Sequence, residues 1–393
     1  MYLMTNGRIV TETEIVEGFD LLIENDKISK ILPQGEIAAV ASNVEILDVA
    51  GAYISPGFID IHSDYIEQMA SPRPTSMMDF HLSIREAEKE LISHGITTIF
   101  HSLSLYKHAE FVHKQIRNPE NVAKFIELID ETRSNKHLIH HRFHARFEVD
   151  NIDEVDNLKK YIAEKKVHLV SFMDHTPGQG QFRDLEMYRE TIKGYHAVTD
   201  EEINRDIAVQ QSRETLTVED LREIAQFAIE HNIPVASHDD DTFEKLELIK
   251  SFGTTISEFP ITLDVAKRAK QLDMMTIGGA PNVLLGGSHS GNLSAQEAIQ
   301  HGCIDILCSD YYPSAMLHSI FTMNKKFGID LAELFRLVTI NPAKAVFMDE
   351  ERGSVAEGKK ADLLIIEEID DRFPVITTVF VDGKLIQKTN YIA

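Results

Sequence analysis

The chain has 393 residues, 43% of them hydrophobic, and carries 63 acidic against 39 basic side chains for a formal charge of −24. This is enough for one large domain with a sizeable core plus a small accessory layer, and it excludes a disordered or fibrous chain. The acidic excess disfavours nucleic acid and anionic membrane surfaces as partners, though a local basic pocket stays open, and no apolar run approaches the roughly 18 residues of a membrane span.

The opening MYLMTNGRIVTETEIVEGFD lacks a basic segment followed by an apolar stretch, so no export signal is read and a cytoplasmic protein is expected. The first fifty residues read as short strands, LMTNGRIV, FDLLIENDKISKIL and VEILDVAGAYI, with Asn6-Gly7 as a hairpin turn. From about 53 to 351, apolar strand-like runs alternate with helical patterns. Eight are counted: GFIDI, ITTIF, a run ending ARFEV, VHLVSFM, IPVAS, TTISEF, MMTIG and CIDILC. Eight such units predict a (β/α)8 barrel, an α/β fold of the TIM-like kind.

One intervening helix shows the pattern, with Leu221, Ile224, Ala225 and Ala228 at spacings of three and four and a capping pair in Thr217 and Asp220. The stretch from about 175 to 216 is too long for a plain βα loop and is a candidate lid or substrate-binding insertion. Cys303 and Cys308 lie in the eighth apolar run and read as buried thiols of a reducing compartment. After 351 the strand style returns in ADLLIIEEI and VITTVFVDGKLI, with Asp382-Gly383 as a second hairpin signal. Residues 1–52 and 352–393 are therefore expected to form one composite β-sandwich, because neither strand cluster alone has a second layer for its apolar face.

Metal-capable side chains fall just past these strands: His62 and Asp64 after the first, Glu148 after HARF, Asp174 and His175 after SFM, His238 after VAS, and Asp310 after DILCS. Strand C-terminal ends in such a barrel share one mouth, so residues distant in sequence converge there. Imidazole and carboxylate ligands suit zinc first, with iron or manganese as alternatives, and this number of donors is enough for one or two divalent ions. Either Asp174 or His175 is read as the inward member of its pair. Asp310 is offered as a general base, its bland alternative being a helix N-cap. His94, His101, His108, His113, His137, His140, His141, His231 and His301 are read as helix-surface or supporting residues, and Asp239 as a partner for the second nitrogen of His238.

The segments GAYISPGFIDIHSD and NPAKAVFMDEERGSVAEGKKADLLII resemble the amidohydrolase superfamily at both ends of its barrel. A narrower set of blocks, HSDYIEQMASPRPT, ITTIFHSL, SFMDHTPGQGQFRDLEMYRE, ASHDDDT, EFPITLDVAKRA, GGAPNVLLGGSHSGN and DILCSDYYP, is similar to the PhnM family of the carbon-phosphorus lyase pathway. Its His-x-Asp start departs from the wider superfamily's His-x-His. That resemblance implies release of diphosphate from a ribose 5-triphosphate by a metal-activated water, with His62, Asp64, Glu148, His175 and His238 as ligands and Asp310 as base.

A small anionic phosphorylated substrate needs cationic partners and backbone donors. Arg73, Arg183, Arg189, Lys193, and Arg142 or Arg146 are candidates for the charge, and the run Gly286 to Gly291 with His289 for amides and an imidazole. On the bland reading, Arg183 and Arg189 pair with acidic neighbours on their own helix. Two rivals stand beside the diphosphatase: an amidase or deaminase using the same site on a cyclic amide or nucleobase, and a metal-free scaffold. A homo-oligomer is compatible with the sequence.

Overall fold

Eight parallel strands follow one another around a central sheet in strict chain order: β1 (Phe58–Ser63), β2 (Ile96–Leu105), β3 (His140–Glu148), β4 (Leu169–Met173), β5 (Val235–His238), β6 (Ile256–Glu258), β7 (Met275–Gly279) and β8 (Ile306–Cys308). The computed structural model describes all residues except 37–43, 74–75, 106–114, 196–197, 289–291, 371 and 393. Just beyond β8 the sheet meets its own first strand. The Asp310 amide donates to the His62 carbonyl at 3.1 Å, and the Asp64 amide donates to the Asp310 carbonyl at 2.7 Å. The expected (β/α)8 barrel is the observed architecture.

Side chains two apart on a strand share a face, and this places the chemistry. Ala236, Ile256, Ile277 and Ile306 pack together inside the barrel with Ile59, Ile61 and Leu169. Two residues further along their strands stand His238, Glu258, Gly279 and Cys308, at the mouth. On β3 the alternation is explicit: Phe143, Ala145 and Phe147 join the outer core under the helices, leaving His144, Arg146 and Glu148 on the other face. The helix Val218–Glu230 opens with the expected capping box, the Thr217 hydroxyl accepting from the Asp220 amide and the Asp220 carboxylate from the Thr217 amide. Its buried side carries Ile224, Ala225 and Ala228.

The terminal segments build two more sheets. One has the order Lys27–Pro33, Phe19–Glu24, Tyr2–Thr5, Glu45–Asp48; the other runs Lys384–Lys388, Phe373–Val381, Leu363–Ile369, Tyr53–Pro56, Arg8–Val10, Ile15–Val16, so the two chain ends join where Leu363–Ile369 pairs with Tyr53–Pro56. Met4, Leu21, Ile23 and Ile28 of the first meet Ile9, Ile54, Leu363 and Phe380 of the second in one apolar layer. Asp382-Gly383 forms the expected two-residue hairpin, with Val381 opposite Lys384 and both turn residues left-handed at φ 45° and 71°.

Asn6-Gly7 does not form a hairpin. Tyr2–Thr5 and Arg8–Val10 lie in different sheets, and Asn6, at φ 59°, turns the chain from one layer into the other. The dipeptide specifies a left-handed turn, and which strands then pair is decided by burial. Gly7 is required there because a Cβ would stand 2.5 Å from Ile54 Cδ1.

An ionic cluster ties these sheets to the base of the barrel. Arg352, 8% exposed, bonds Asp362 and, at 3.1 Å, Asp382, while His140 at the start of β3 lies 3.5 Å from Asp362. Burial raises the Asp362 carboxyl, but the His140 hydrogen bond and the Arg352 charge outweigh it and hold the group below the usual carboxylate range. Arg352→Met should therefore cost about 3–5 kcal/mol in urea unfolding, because it strands a buried carboxylate. A folded-state value lowered in this way contributes stability above the unfolded carboxyl's pKa and loses it as pH falls through the folded value, so the wild-type advantage should shrink in acid.

Candidate active site

The mouth opens into a cleft of about 670 Å³, inside the roughly 300–1,000 Å³ usual for small-molecule sites. His62, His175, His238, Asp239 and Asp310 line it. Gln181, Phe182, Met187 and Tyr188 form one wall, so the 175–216 insertion does border the cleft, and Phe259, Asn282 and Leu293 stand on another. Asp239, Phe259 and Asp310, just past the ends of β5, β6 and β8, are all left-handed at φ 52°, 53° and 56°. Such turns are costly for a phenylalanine and concentrate where a chain must change direction sharply at a functional edge.

The floor is a contiguous patch of imidazoles and carboxylates. Ring centroids are 5.5 Å apart for His62 and His238 and 5.9 Å for His175 and His238. His62 Nδ1 lies 3.0 Å from Glu258 Oε1, and His238 Nδ1 lies 2.8 Å from Asp239 Oδ2, close to the expected partner but without hydrogen-bond geometry. Glu148 bonds His175 Nδ1 at 2.5 Å. Burial works against charge on His62 and His175, yet the Glu258 and Glu148 carboxylates beside them win and raise both imidazoles. His144, below His62, is held between the Ser102 and Ser171 hydroxyls at 3.0 and 2.9 Å, and burial pushes its pKa down to about 3, so it is neutral. Asp60, equally buried, is pushed up to about 6 by desolvation.

These donors suit a divalent cation. His62, His144 and Glu258 offer three ligand atoms within 4.8 Å of one another, as do His175, His238 and Asp239. Among the described residues, His238 Nε2 and Glu258 Oε2 are buried without a hydrogen-bond partner, which is costly unless something cationic satisfies them.

Asp64 stands apart from both groups. Its carboxylate accepts from Arg146 Nη1 at 2.8 Å and lies 3.7 Å from Arg117, which is itself anchored on buried Glu67 at 2.6 Å. His175, not Asp174, is the inward member of its pair, since Asp174 accepts from the Thr176 amide and Gln179 of the insertion loop. The N-cap alternative for Asp310 falls away because the next helix, Ala315–Phe327, begins after Ser314.

Of the basic residues proposed for substrate, Arg146 lines the cleft, whereas Arg73, Arg183, Arg189 and Lys193 stand elsewhere. Arg73 and Arg183 are exposed, Arg189 pairs with Glu186 at 2.5 Å and Asn204 at 3.0 Å, and Lys193 pairs with Asp200 at 2.5 Å. None of the four lines the cleft. In the helix Leu185–Tyr195 the face toward the insertion's own core is taken by Tyr188 and Ile192, which leaves Arg189 and Lys193 on its flank. His289 lies outside the described residues. The Gly286 and Gly287 amides donate to the Val283 and Asn282 carbonyls and so close a helix end instead of facing an anion.

His101 and His141, read as surface or supporting, are buried on β2 and β3; they meet at 2.9 Å, and His141 Nε2 lies 3.2 Å from Glu88. Sequence reasoning passed over Glu258, His144 and Arg117. Period two was the available signal for His144: an inward Glu148 makes His144 and Arg146 inward as well. Glu258 is the lone carboxylate of the sixth run, TTISEF.

Residues 53–386 match the model of the Amidohydrolase family, and residues 1–54 match that of the NagA composite domain. The chain is 32% identical over 381 residues to alpha-D-ribose 1-methylphosphonate 5-triphosphate diphosphatase of Escherichia coli K12, covering 95% of this chain and 97% of that protein. It is 24% identical over 406 residues to the 5-methylthioadenosine/S-adenosylhomocysteine deaminase of Thermococcus sibiricus, covering 93% and 85%. The structure of N-acetylglucosamine-6-phosphate deacetylase from Pasteurella multocida superimposes with TM-score 0.65 at 14% identity, over 98% of this chain and 99% of that one, a likeness of fold alone.

Protein loaded with Zn²⁺ or Mn²⁺ and desalted should retain one or two ions per chain by elemental analysis. Chelation should then lower its Tm, since an ion bound only to the folded state stabilises it. A chain that emerges metal-free and unshifted would remove the cation from the site.

Proposed function

Since the chain belongs to the amidohydrolase family and is a metal-dependent hydrolase, we propose that its cleft hydrolyses alpha-D-ribose 1-methylphosphonate 5-triphosphate to the 5-phosphate and diphosphate. The observation that carries this reading is the pair of guanidiniums, Arg117 and Arg146, standing in the cleft beside the imidazole floor and held by Glu67 and Asp64. A polyphosphate entering a mouth this acidic needs fixed cations on its path, and arginine forks match phosphoryl oxygens in shape as well as charge. The diphosphatase relative aligned over 95% of the chain supports the same substrate.

Divalent ions held among His62, Glu148, His175 and His238 would supply an activated water and neutralise charge on the phosphoryl group. The chain's own groups do the rest. Asp310, fixed by backbone bonds on both sides, takes the proton of the attacking water at its carboxylate and returns it toward the departing diphosphate as the P–O bond breaks. Arg117 and Arg146 orient the polyphosphate so that this bond lies over the floor. Phe182, Tyr188 and Phe259 provide apolar surface that displaces bulk water from the site.

Asp310→Asn should keep the fold, because the bonds that close the barrel at this residue are made by its backbone, and lower kcat by about 10² or more. Near-normal turnover of that variant would remove Asp310 from the mechanism. Arg117→Gln and Arg146→Gln should act chiefly on KM.

A parallel assay for diphosphate and ammonia in ¹⁸O-labelled water tests the bond that is cut. The expected result is diphosphate release with label in a phosphate product. Efficient ammonia release or ring opening without diphosphate would establish C–N hydrolysis on the same floor, the alternative that the deaminase relative represents.

A further inference from the structure

Glu258 ends β6 at the inner edge of the mouth, with a side chain that is 0% exposed. Its Oε1 lies 3.0 Å from His62 Nδ1 and 3.8 Å from His144 Nε2, while its Oε2 is sealed from solvent with no hydrogen-bond partner. A carboxylate whose only task was to orient His62 would still need its second oxygen satisfied, and leaving that oxygen bare in the barrel interior costs several kcal/mol by usual magnitudes. Asp64, the carboxylate that sequence spacing favours as the companion of His62, is already bonded to Arg146 and lies close to Arg117.

From these contacts we propose that Glu258, together with His62 and His144, forms the inner divalent-cation site, and that Asp64 is instead the positioning residue for the two cleft arginines. The proposal rests on the metal dependence of the enzyme and is independent of which substrate it cuts.

The geometry suits the assignment. Two ligands at 2.0–2.2 Å from one tetrahedral or octahedral ion are roughly 3.0–3.5 Å apart, and the Glu258 contacts at 3.0 and 3.8 Å bracket that spacing. His144 is held through Nδ1 by the Ser102 hydroxyl, which keeps Nε2 on the Glu258 side, where rotation of the Ser171 hydroxyl uncovers it. One acidic and two neutral donors leave an ion partly uncompensated, the condition under which it polarises a further ligand. Asp64 in turn fixes Arg146 at the height of the floor, so its removal is felt by the substrate's charged chain before it is felt by the ion.

The wild-type protein loaded with Zn²⁺ decides the matter through an anomalous difference map at the zinc edge, together with elemental analysis of Glu258→Gln and Asp64→Asn. The expected map places an ion in bonding contact with Glu258 and away from Asp64. Glu258→Gln should lose about one equivalent of zinc, or bind it at least tenfold more weakly. Asp64→Asn should keep the full complement and show a raised KM with kcat less affected.

An ion bonded to Asp64 and out of reach of Glu258, or a Glu258→Gln variant with unchanged zinc content and affinity, overturns the assignment. A mouth without zinc overturns it together with the metal site. If Glu258→Gln fails to fold, the wild-type map still gives the answer. Zinc on Glu258 in an enzyme that releases no diphosphate would leave this inference standing and remove only the substrate.

Discussion

Closure of the barrel between β8 and β1 is the constraint on which the rest of the structure depends. A sheet of eight strands has two open edges until the last meets the first, and unpaired edge groups are costly in a buried interior. Here β8 is short, and closure falls to the residues just past it. Ser309 donates its amide to the Asp60 carboxylate at 3.1 Å and its hydroxyl to that of Ser63 at 2.8 Å, while Asp310 exchanges backbone bonds with His62 and Asp64. The same bonds that seal the seam fix the heights of His62, Asp64 and Asp310 relative to one another. The left-handed backbone of Asp310 lets one residue close the seam and still present its carboxylate to the cleft. Barrel integrity and the proposed proton handling thus share a short stretch of chain.

Charge within the mouth is divided by a rule that the neighbours of each carboxylate make visible. Asp64 and Glu67 meet guanidiniums, Glu148 and Asp239 meet imidazoles, and Asp60 meets only backbone amides and serine, so burial raises it to about 6. Glu258 also meets imidazoles, but it is fully buried and, like Asp60, keeps one oxygen without a hydrogen-bond partner. Arginine pairing neutralises a carboxylate permanently, whereas an imidazole does so only if protonated and otherwise offers a ligand atom. On the proposed reading, the arginine-paired acids would serve substrate recognition, and the imidazole-paired acids would mark where an external cation completes the balance.

The fold was legible from the sequence because its signals are periodic and repeated. Eight apolar runs between helical patterns specify a closed barrel, and each observed strand falls within or overlaps its run. Much of the mouth was legible for the same reason, since His62, His175, His238 and Asp310 stand where strand ends must place them. What escaped were contacts made across the barrel. The pairing of Asp64 with Arg146 joins β1 to β3, and that of His62 with Glu258 joins β1 to β6; neither leaves a trace in local spacing. Arg189 and Lys193 drew attention because their segment is rich in charge, but a helix that buries Tyr188 and Ile192 directs such residues to its flank, where acids of the same insertion pair with them. Asn6-Gly7 illustrates the limit of turn chemistry: the dipeptide sets the left-handed step, and the two apolar layers decide which sheets it connects.

Separation of floor from walls follows from this construction. The floor is built from strand ends locked by a packed layer of Ile256, Ile277, Ile306 and their neighbours, so its geometry is inherited from the barrel core. The walls come from the 175–216 insertion, with its own small core of Tyr188, Ile192, Ile203 and Ile207, and from the loops after β6 and β7. A change in a wall alters what reaches the floor without disturbing closure, because among the described residues no wall residue takes part in the β1–β8 seam. Relatives of such different activity as a diphosphatase and a deaminase, and a deacetylase of the same fold, are what this arrangement predicts. On the proposed reading, substrate choice would then be a property of the arginines and aromatic side chains around the cleft, and hydrolysis a property of the floor beneath them.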